Sequence, residues 1–336
     1  MSNPVLVEAV RAGRVESRHR GAVAVMDADG KSVLAVGDVA QSIYPRSAVK
    51  SLQALPLVES GAAARYGFGD QELALACASH GGEPDHVAVA ERMLARAGLD
   101  AAALECGPHW PVHPPALQAL ARAGGSASAL HNNCSGKHAG FLCVACATGA
   151  DHRRYVDPDH PVQRAVKAAI EALAGVTISD PPAVDGCSAP NWRVPLAALA
   201  GAFARFGVGQ KLGAERAKAA ARLRAACAAQ PWFVAGTGRF CTAVMEHFRA
   251  RVFVKTGAEG VFCGALPELG LGIAVKCDDG AGRAAEVMMA AIVARLLPLA
   301  DADRAVLDRF VQPKLGNWNG IEVGELRATS MLALPR

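Results

Sequence analysis

Residues 251–277 read RVFVKTGAEGVFCGALPELGLGIAVKC, and three short β-rich runs stand out in them, Arg251–Lys255, Gly260–Gly264 and Leu271–Cys277. Runs of Val, Phe and Ile of this length, separated by glycines, predict strands. At the other end of the chain, Ala22–Met26 and Val33–Val36 flank Asp27-Ala28-Asp29-Gly30, which predicts a hairpin over Gly21–Asp38. Residues Gly320–Leu326 predict a last strand, after a helix over Ala281–Leu297. Between the two ends the pattern is helical over 70–78, 84–97, 137–148, 161–174 and 214–229. Asp70 and Pro84 stand where helix starts place such residues. A further helix is expected from Arg46, while 111–115 and 179–190 read as ordered loops. Strands at both ends around a helical middle predict an α/β fold of the α+β type. Its antiparallel sheet lobe draws on about 1–60 and 236–336, and a mainly helical lobe spans about 61–235. The two lobes are expected to share one cleft as a single unit over residues 1–336.

The 336 residues are 51% hydrophobic and 20% charged, which supports a large core and excludes a disordered chain. The net charge of +4 is dispersed, without a basic tract or an aromatic ladder, so no nucleic-acid partner is expected. No apolar run is long enough for a membrane span. The start, Met1-Ser2-Asn3-Pro4, lacks the layout of a signal peptide, so a cytoplasmic location is expected. The ten cysteines lie mostly in apolar runs, where reduced cysteine behaves as a small core residue. Cys143 and Cys146 share an apolar helix and lack a second such pair, so they too read as core.

Only nine of the 35 basic residues are lysines, so a lysine in a motif-like setting is informative. In Ser47-Ala48-Val49-Lys50 the hydroxyl and the amine share a helix face at i and i+3. Serine becomes a nucleophile when a base takes its proton. Lysine is such a base once burial or a nearby cation brings its pKa from about 10.4 toward about 7–8. Arg46 and Lys255 are candidates for that field. Val254-Lys255-Thr256-Gly257 ends a predicted strand, and an early Ser-x-x-Lys with a late Lys-Thr-Gly is the order of serine β-lactamases and penicillin-binding proteins. Their Ser-Asp-Asn has no literal copy. Ser79, in Cys77-Ala78-Ser79-His80-Gly81-Gly82, is the candidate for that role, and a plain helix-ending turn is the alternative. Polar groups also gather in Asn132-Asn133-Cys134-Ser135-Gly136-Lys137-His138, which departs from a phosphate loop because histidine follows Lys137. Asp185-Gly186-Cys187 adds a thiol. Cys134 and Cys187 are either two unrelated core residues or, with a third donor, a zinc site.

Together these segments resemble the rhizobial-type (asparaginase II family) L-asparaginases. The resemblance starts at Val7-Glu8-Ala9-Val10-Arg11-Ala12-Gly13-Arg14-Val15-Glu16-Ser17-Arg18-His19-Arg20-Gly21. It runs through the Ser47, Ser79, Cys134 and Asp185 motifs to Gly236-Thr237-Gly238-Arg239-Phe240-Cys241 and Lys276-Cys277-Asp278-Asp279-Gly280. It implies a serine β-lactamase-like fold and hydrolysis of L-asparagine to L-aspartate and ammonia. Two serine–lysine pairs are implied, Ser47 with Lys50 and Ser79 with Lys255. Zinc is implied on Cys134, Lys137 and Cys187, in a supporting role rather than as the water activator. Arg46, His138 and Asp185 are implied to bind the amino acid, and the working form is implied to be a homodimer. Two other readings are a glutaminase or related serine amidohydrolase of this fold, and a zinc-stabilised protein that binds a small ligand without hydrolysing it.

Overall fold

A computed structural model describes residues 2–332. Its main sheet is built from β1 (Val5–Arg11), β2 (Arg14–Asp27), β3 (Ser32–Val36), β4 (Phe253–Gly257), β5 (Val261–Leu266), β6 (Leu271–Cys277), β7 (Lys314–Gly316) and β8 (Glu322–Ala328). The order is β7-β8-β1-β2-β6-β5-β4, with β3 paired to β2. Every pairing in this sheet is antiparallel. The fold is therefore mixed α/β, with its sheet drawn from both ends of the chain and helices between, as the sequence predicts. No helix among the described residues is long and apolar enough to cross a membrane.

The long β2 changes character along its length. Its first half pairs with β1 and alternates between exposed and half-buried residues. Its second half, from Gly21, pairs with β6 and is buried over Ala22–Val25, which is the pattern of a strand covered on both faces. The helices Leu196–Val208 and Gly282–Leu296 both pack on this part of the sheet, and β5 is buried along its whole length. Gly272 on β6 shows how closely the first helix sits. A Cβ there would lie 2.0 Å from Ala200 O and 2.2 Å from Ala204 N.

That helix, Leu-Ala-Ala-Leu-Ala-Gly-Ala-Phe-Ala-Arg-Phe-Gly-Val, has no polar stripe, so its sequence carries no amphipathic period to read. The helices Phe240–Phe248 and Asp301–Val311 are two more that the sequence reading does not contain. The expected helix from Arg46 is resolved into three short pieces, a 3₁₀ turn over Arg46–Val49 and α-helices over Lys50–Gln53 and Leu55–Glu59. Pro56 explains the break before the last piece, because it has no N–H and its ring crowds the preceding turn. The loop expected at 111–115 turns helical at Pro114, where proline fits the first turn.

Candidate active site

Ser79 is the point where two lysines meet. It lies just past the helix Asp70–Ala76, and its N–H donates to Val234 O at 2.9 Å. Lys50 Nζ stands 3.0 Å from Ser79 Oγ and Lys255 Nζ stands 2.8 Å from it. The remaining hydrogens of Lys50 go to Ala78 O and, at 3.3 Å, to Asn133 O; Lys255 also reaches Thr256 O at 2.8 Å. Both lysines are 1% exposed and Ser79 is 7% exposed. Burial first, and the Lys50 charge second, lower the Lys255 pKa to about 7. At that value the amine is available as a base near neutrality.

Ser47 sits on the neighbouring 3₁₀ turn, half-buried, with Lys50 N donating to its carbonyl. Among the described residues no hydrogen bond joins its hydroxyl to Lys50, whose amine is turned to Ser79 instead. The turn is held hard against β4. A Cβ on Gly257 would lie 2.8 Å from Pro45 O and 3.0 Å from Ala48 N, so only glycine lets the Lys255 strand abut the Ser47 turn. Arg46, immediately before Ser47, has φ +51°, a left-handed conformation that costs a non-glycine residue about 1–3 kcal/mol. Two side-chain contacts hold it there. Its N–H reaches Asn191 Oδ1 at 3.4 Å, and its Nε donates to Asp185 Oδ1 at 2.8 Å.

The structure also gathers Cys134, Lys137, His138 and Cys187. Lys137 Nζ lies 3.1 Å from Cys187 Sγ. The hydrogen bond from the Cys134 thiol, with help from the Lys137 ammonium, holds Cys187 well below the ordinary thiol range. The same bond, reinforced by burial, holds Cys134 well above it. Burial disfavours the Lys137 charge, but the Cys187 thiolate outweighs that and raises its pKa. The pair is thus a buried thiolate–ammonium. His138 is pushed down to about 4, chiefly by burial, and is neutral. Tyr155 OH accepts from Glu105 N at 2.8 Å, so its own proton goes to His138 Nδ1, also at 2.8 Å. His138 Nε2 therefore carries the ring hydrogen, and its interaction with the Cys187 sulfur partly offsets the effect of burial on the ring.

Two cysteine sulfurs are donors that zinc prefers in a four-coordinate site, and the Lys137 amine 3.1 Å from one of them adds a nitrogen. The residues fit the metal that the resemblance implies. A lysine ligand must first lose the proton that Lys137 holds here.

Arg46 and Asp185, implied as separate anchors for the amino acid, are bonded to each other. Asp185 Oδ1 also accepts Gly186 N at 2.8 Å. Arg46 lines a cavity of about 450 Å³ with Tyr44, Asn191, Arg193, Glu259 and Lys276. With Arg46 paired to Asp185, Arg193 and Lys276 against Glu259 leave the lining net positive, which attracts an anionic group.

A family model described as L-asparaginase II matches residues 7–328. The chain belongs to the L-asparaginase II family. As a member it is an amidohydrolase that acts on a small-molecule substrate. No curated protein matches it. Among solved structures it is similar to a β-lactamase from Mycobacterium bovis at 17% identity, over 86% of this chain and 94% of that one, with a TM-score of 0.37. It is also similar to a candidate β-lactamase from Bacteroides dorei at 12% identity, over 76% and 84%, with a TM-score of 0.39.

Two residues inside the quoted motifs of this asparaginase II chain, Asn133 and His80, make contacts that the sequence reading does not assign. Asn133 accepts from Lys50 through its carbonyl, and its Oδ1 lies 3.1 Å from Cys134 Sγ, so it links the serine–lysine group to the thiols. His80 Nδ1 accepts Gly82 N at 3.1 Å, which leaves Nε2–H for Ser135 Oγ at 2.9 Å. The Asn132-Asn133 pair is visible in the sequence, but a carbonyl's partner is not.

Proposed function

We propose that the chain hydrolyses L-asparagine to L-aspartate and ammonia through Ser47, with Lys50, Ser79 and Lys255 as its proton path. The observation that supports this best is the buried line Lys50–Ser79–Lys255. It has one hydroxyl between two amines, and the far amine gives up its proton near pH 7. Ser79 is enclosed by those amines, whereas Ser47 is half-buried at the edge of the turn, where a substrate carbonyl can reach it.

In this reading a proton on Lys50 passes to Ser79 as the Ser79 proton passes to Lys255. Lys50, now neutral, takes the Ser47 proton as Ser47 Oγ bonds to the side-chain amide carbon. The same proton then goes to the departing nitrogen, the C–N bond breaks and ammonia leaves. Water, deprotonated along the same path, releases aspartate from the Ser47 ester and restores the hydroxyl. Arg46 keeps Nε on Asp185 and offers its terminal nitrogens to the α-carboxylate, while Asp185 takes the α-ammonium. Zinc held by Cys134, Lys137 and Cys187 would supply Lewis acidity that orients the substrate beside the serines. His138 Nε2–H lies beside Cys187 and helps keep it a thiolate.

One observation favours a second reading, in which Ser79 forms the ester, because Ser79 is the hydroxyl that both lysines touch. Trapping the ester on intact protein and mapping it to the peptide of Ser47 or Ser79 separates the two. Glutamine has one more methylene, which a pocket discriminates by only about 1–3 kcal/mol, so its turnover is measured alongside.

A further inference from the structure

Glu83 lies four residues beyond Ser79, takes no part in the proton path and is almost wholly buried, at 7% exposed. Its two oxygens accept two hydrogen bonds from one residue, Thr237 N at 2.9 Å and Thr237 Oγ1 at 2.7 Å. Thr237 Oγ1 in turn accepts Trp232 Nε1 at 2.9 Å. His113 Nδ1 stands 3.4 Å from one carboxylate oxygen and His86 Nδ1 stands 4.0 Å from the other. Among the described residues neither ring nitrogen has another partner. The backbone is shaped around this carboxylate. At Gly236, φ is +99° and a Cβ would lie 2.6 Å from Glu83 Oε1; at Gly81 a Cβ would lie 2.9 Å from it.

The segment that Glu83 grips, 232–237, is the one that receives the Ser79 N–H through Val234 O. Ser79 is therefore tied to it twice, once by backbone and once through Glu83. Lys255 comes from β4, a different element, so the 2.8 Å contact between Ser79 and Lys255 depends on where 79–83 is held. On the opposite side His80 ties the same loop to Ser135.

We infer that Glu83 is a positioning residue for Ser79, acting through Thr237 to hold the Ser79 hydroxyl between the two lysines. The inference rests on the serine–lysine reading above. A displacement of about 1 Å at a reacting group costs on the order of 10²-fold in rate, and it leaves binding by distant anchors in place. Removal of the tie therefore lowers kcat and spares KM. Gln at this position still offers one oxygen to Thr237 N and can donate to Thr237 Oγ1, so it restores part of the rate.

The test is steady-state ammonia release from L-asparagine by full-length wild type, Glu83→Ala, Glu83→Gln, Thr237→Val and the Glu83→Ala/Thr237→Val double variant. Ser47→Ala and Ser79→Ala serve as references. The expected result is a kcat lower by about 10–100-fold in Glu83→Ala with KM within about twofold, and an intermediate kcat in Glu83→Gln. The double variant is no slower than Glu83→Ala, because the two side chains act as one unit. Folded Glu83→Gln and Thr237→Val decide the matter if Glu83→Ala does not fold, each with a lowered kcat expected. Wild-type kcat in the folded variants, or a raised KM with kcat held, overturns the inference while silent serine variants leave the hydrolytic reading standing. Full activity in both serine variants, or none in wild type, overturns the hydrolytic reading itself.

Discussion

Lys255 Nζ lies 2.8 Å from Ser79 Oγ, and the two groups come from elements 176 residues apart that are almost fully withdrawn from water. In the proposed proton path Lys255 acts as a base because of its surroundings. Burial removes the water that would stabilise its charge, and Lys50 adds a second cation to the same pocket.

The pH dependence follows. With Lys255 lowered to about 7, the neutral amine gains population as pH rises through that value. kcat/KM is expected to climb through an acid limb near pH 7 and then level off. In Lys255→Met the residual rate is lower by about 10²–10⁴-fold, and that limb is absent. A pH–rate profile of both proteins checks this.

Stability carries the same signature. Between about pH 7 and 10.5 the unfolded lysine binds a proton that the folded one does not, so unfolding becomes harder as pH rises across that window. The wild type therefore gains stability relative to Lys255→Met from pH 7 to 10. Denaturant midpoints of the two proteins at a series of pH values report the difference directly.

Gly257 predicts a steric effect. Alanine there meets Pro45 O and Ala48 N on the Ser47 turn, both backbone atoms that cannot swing away. Gly257→Ala is expected to cost about 1–3 kcal/mol of stability, with a loss of kcat as Ser47 moves relative to Lys255. Thermal unfolding and steady-state kinetics together measure it.

Arg46 and Asp185 predict a difference between two conservative changes. Arg46→Lys loses the planar fork that reaches Asp185 through Nε while leaving terminal nitrogens for a carboxylate, so KM for L-asparagine rises about tenfold or more. Asp185→Asn keeps the acceptor for Arg46 but removes the charge opposite an α-ammonium. It raises KM for amino acids and leaves the rate toward a substrate without an α-amino group unchanged. Kinetics on L-asparagine and on succinamic acid check both.

The thiols predict a metal stoichiometry. Cys187→Ser and Cys134→Ser are each expected to lose one equivalent of zinc that the wild type retains after gel filtration without chelator. Metal analysis of the three proteins, with circular dichroism to confirm folding, is the measurement.

The sheet was readable because β4, β5 and β6 are short runs bounded by glycines, and the hairpin of β2 and β3 turns on Asp27–Gly30. The helix Leu196–Val208 was not, because a segment buried all round shows no periodic face. The motif positions of Lys50, Ser79 and Lys255 could be read as well. Which hydroxyl Lys50 serves could not, since i and i+3 spacing brings Ser47 and Lys50 onto one face without saying where a four-carbon side chain ends. It ends on Ser79. Arg46 and Asp185 were named as two anchors, and their ion pair depends on a left-handed residue at position 46 that sequence does not announce. Glu83 escaped for a related reason. Its partner, Thr237, is 154 residues away, and only the folded chain brings them together.

The most direct test of the whole account is ammonia release from L-asparagine by wild type and by Ser47→Ala, each shown to be folded. The account predicts turnover by the wild type and loss of it in the variant. Undiminished release by Ser47→Ala would contradict the assignment of the nucleophile, and no release by the wild type would contradict the substrate.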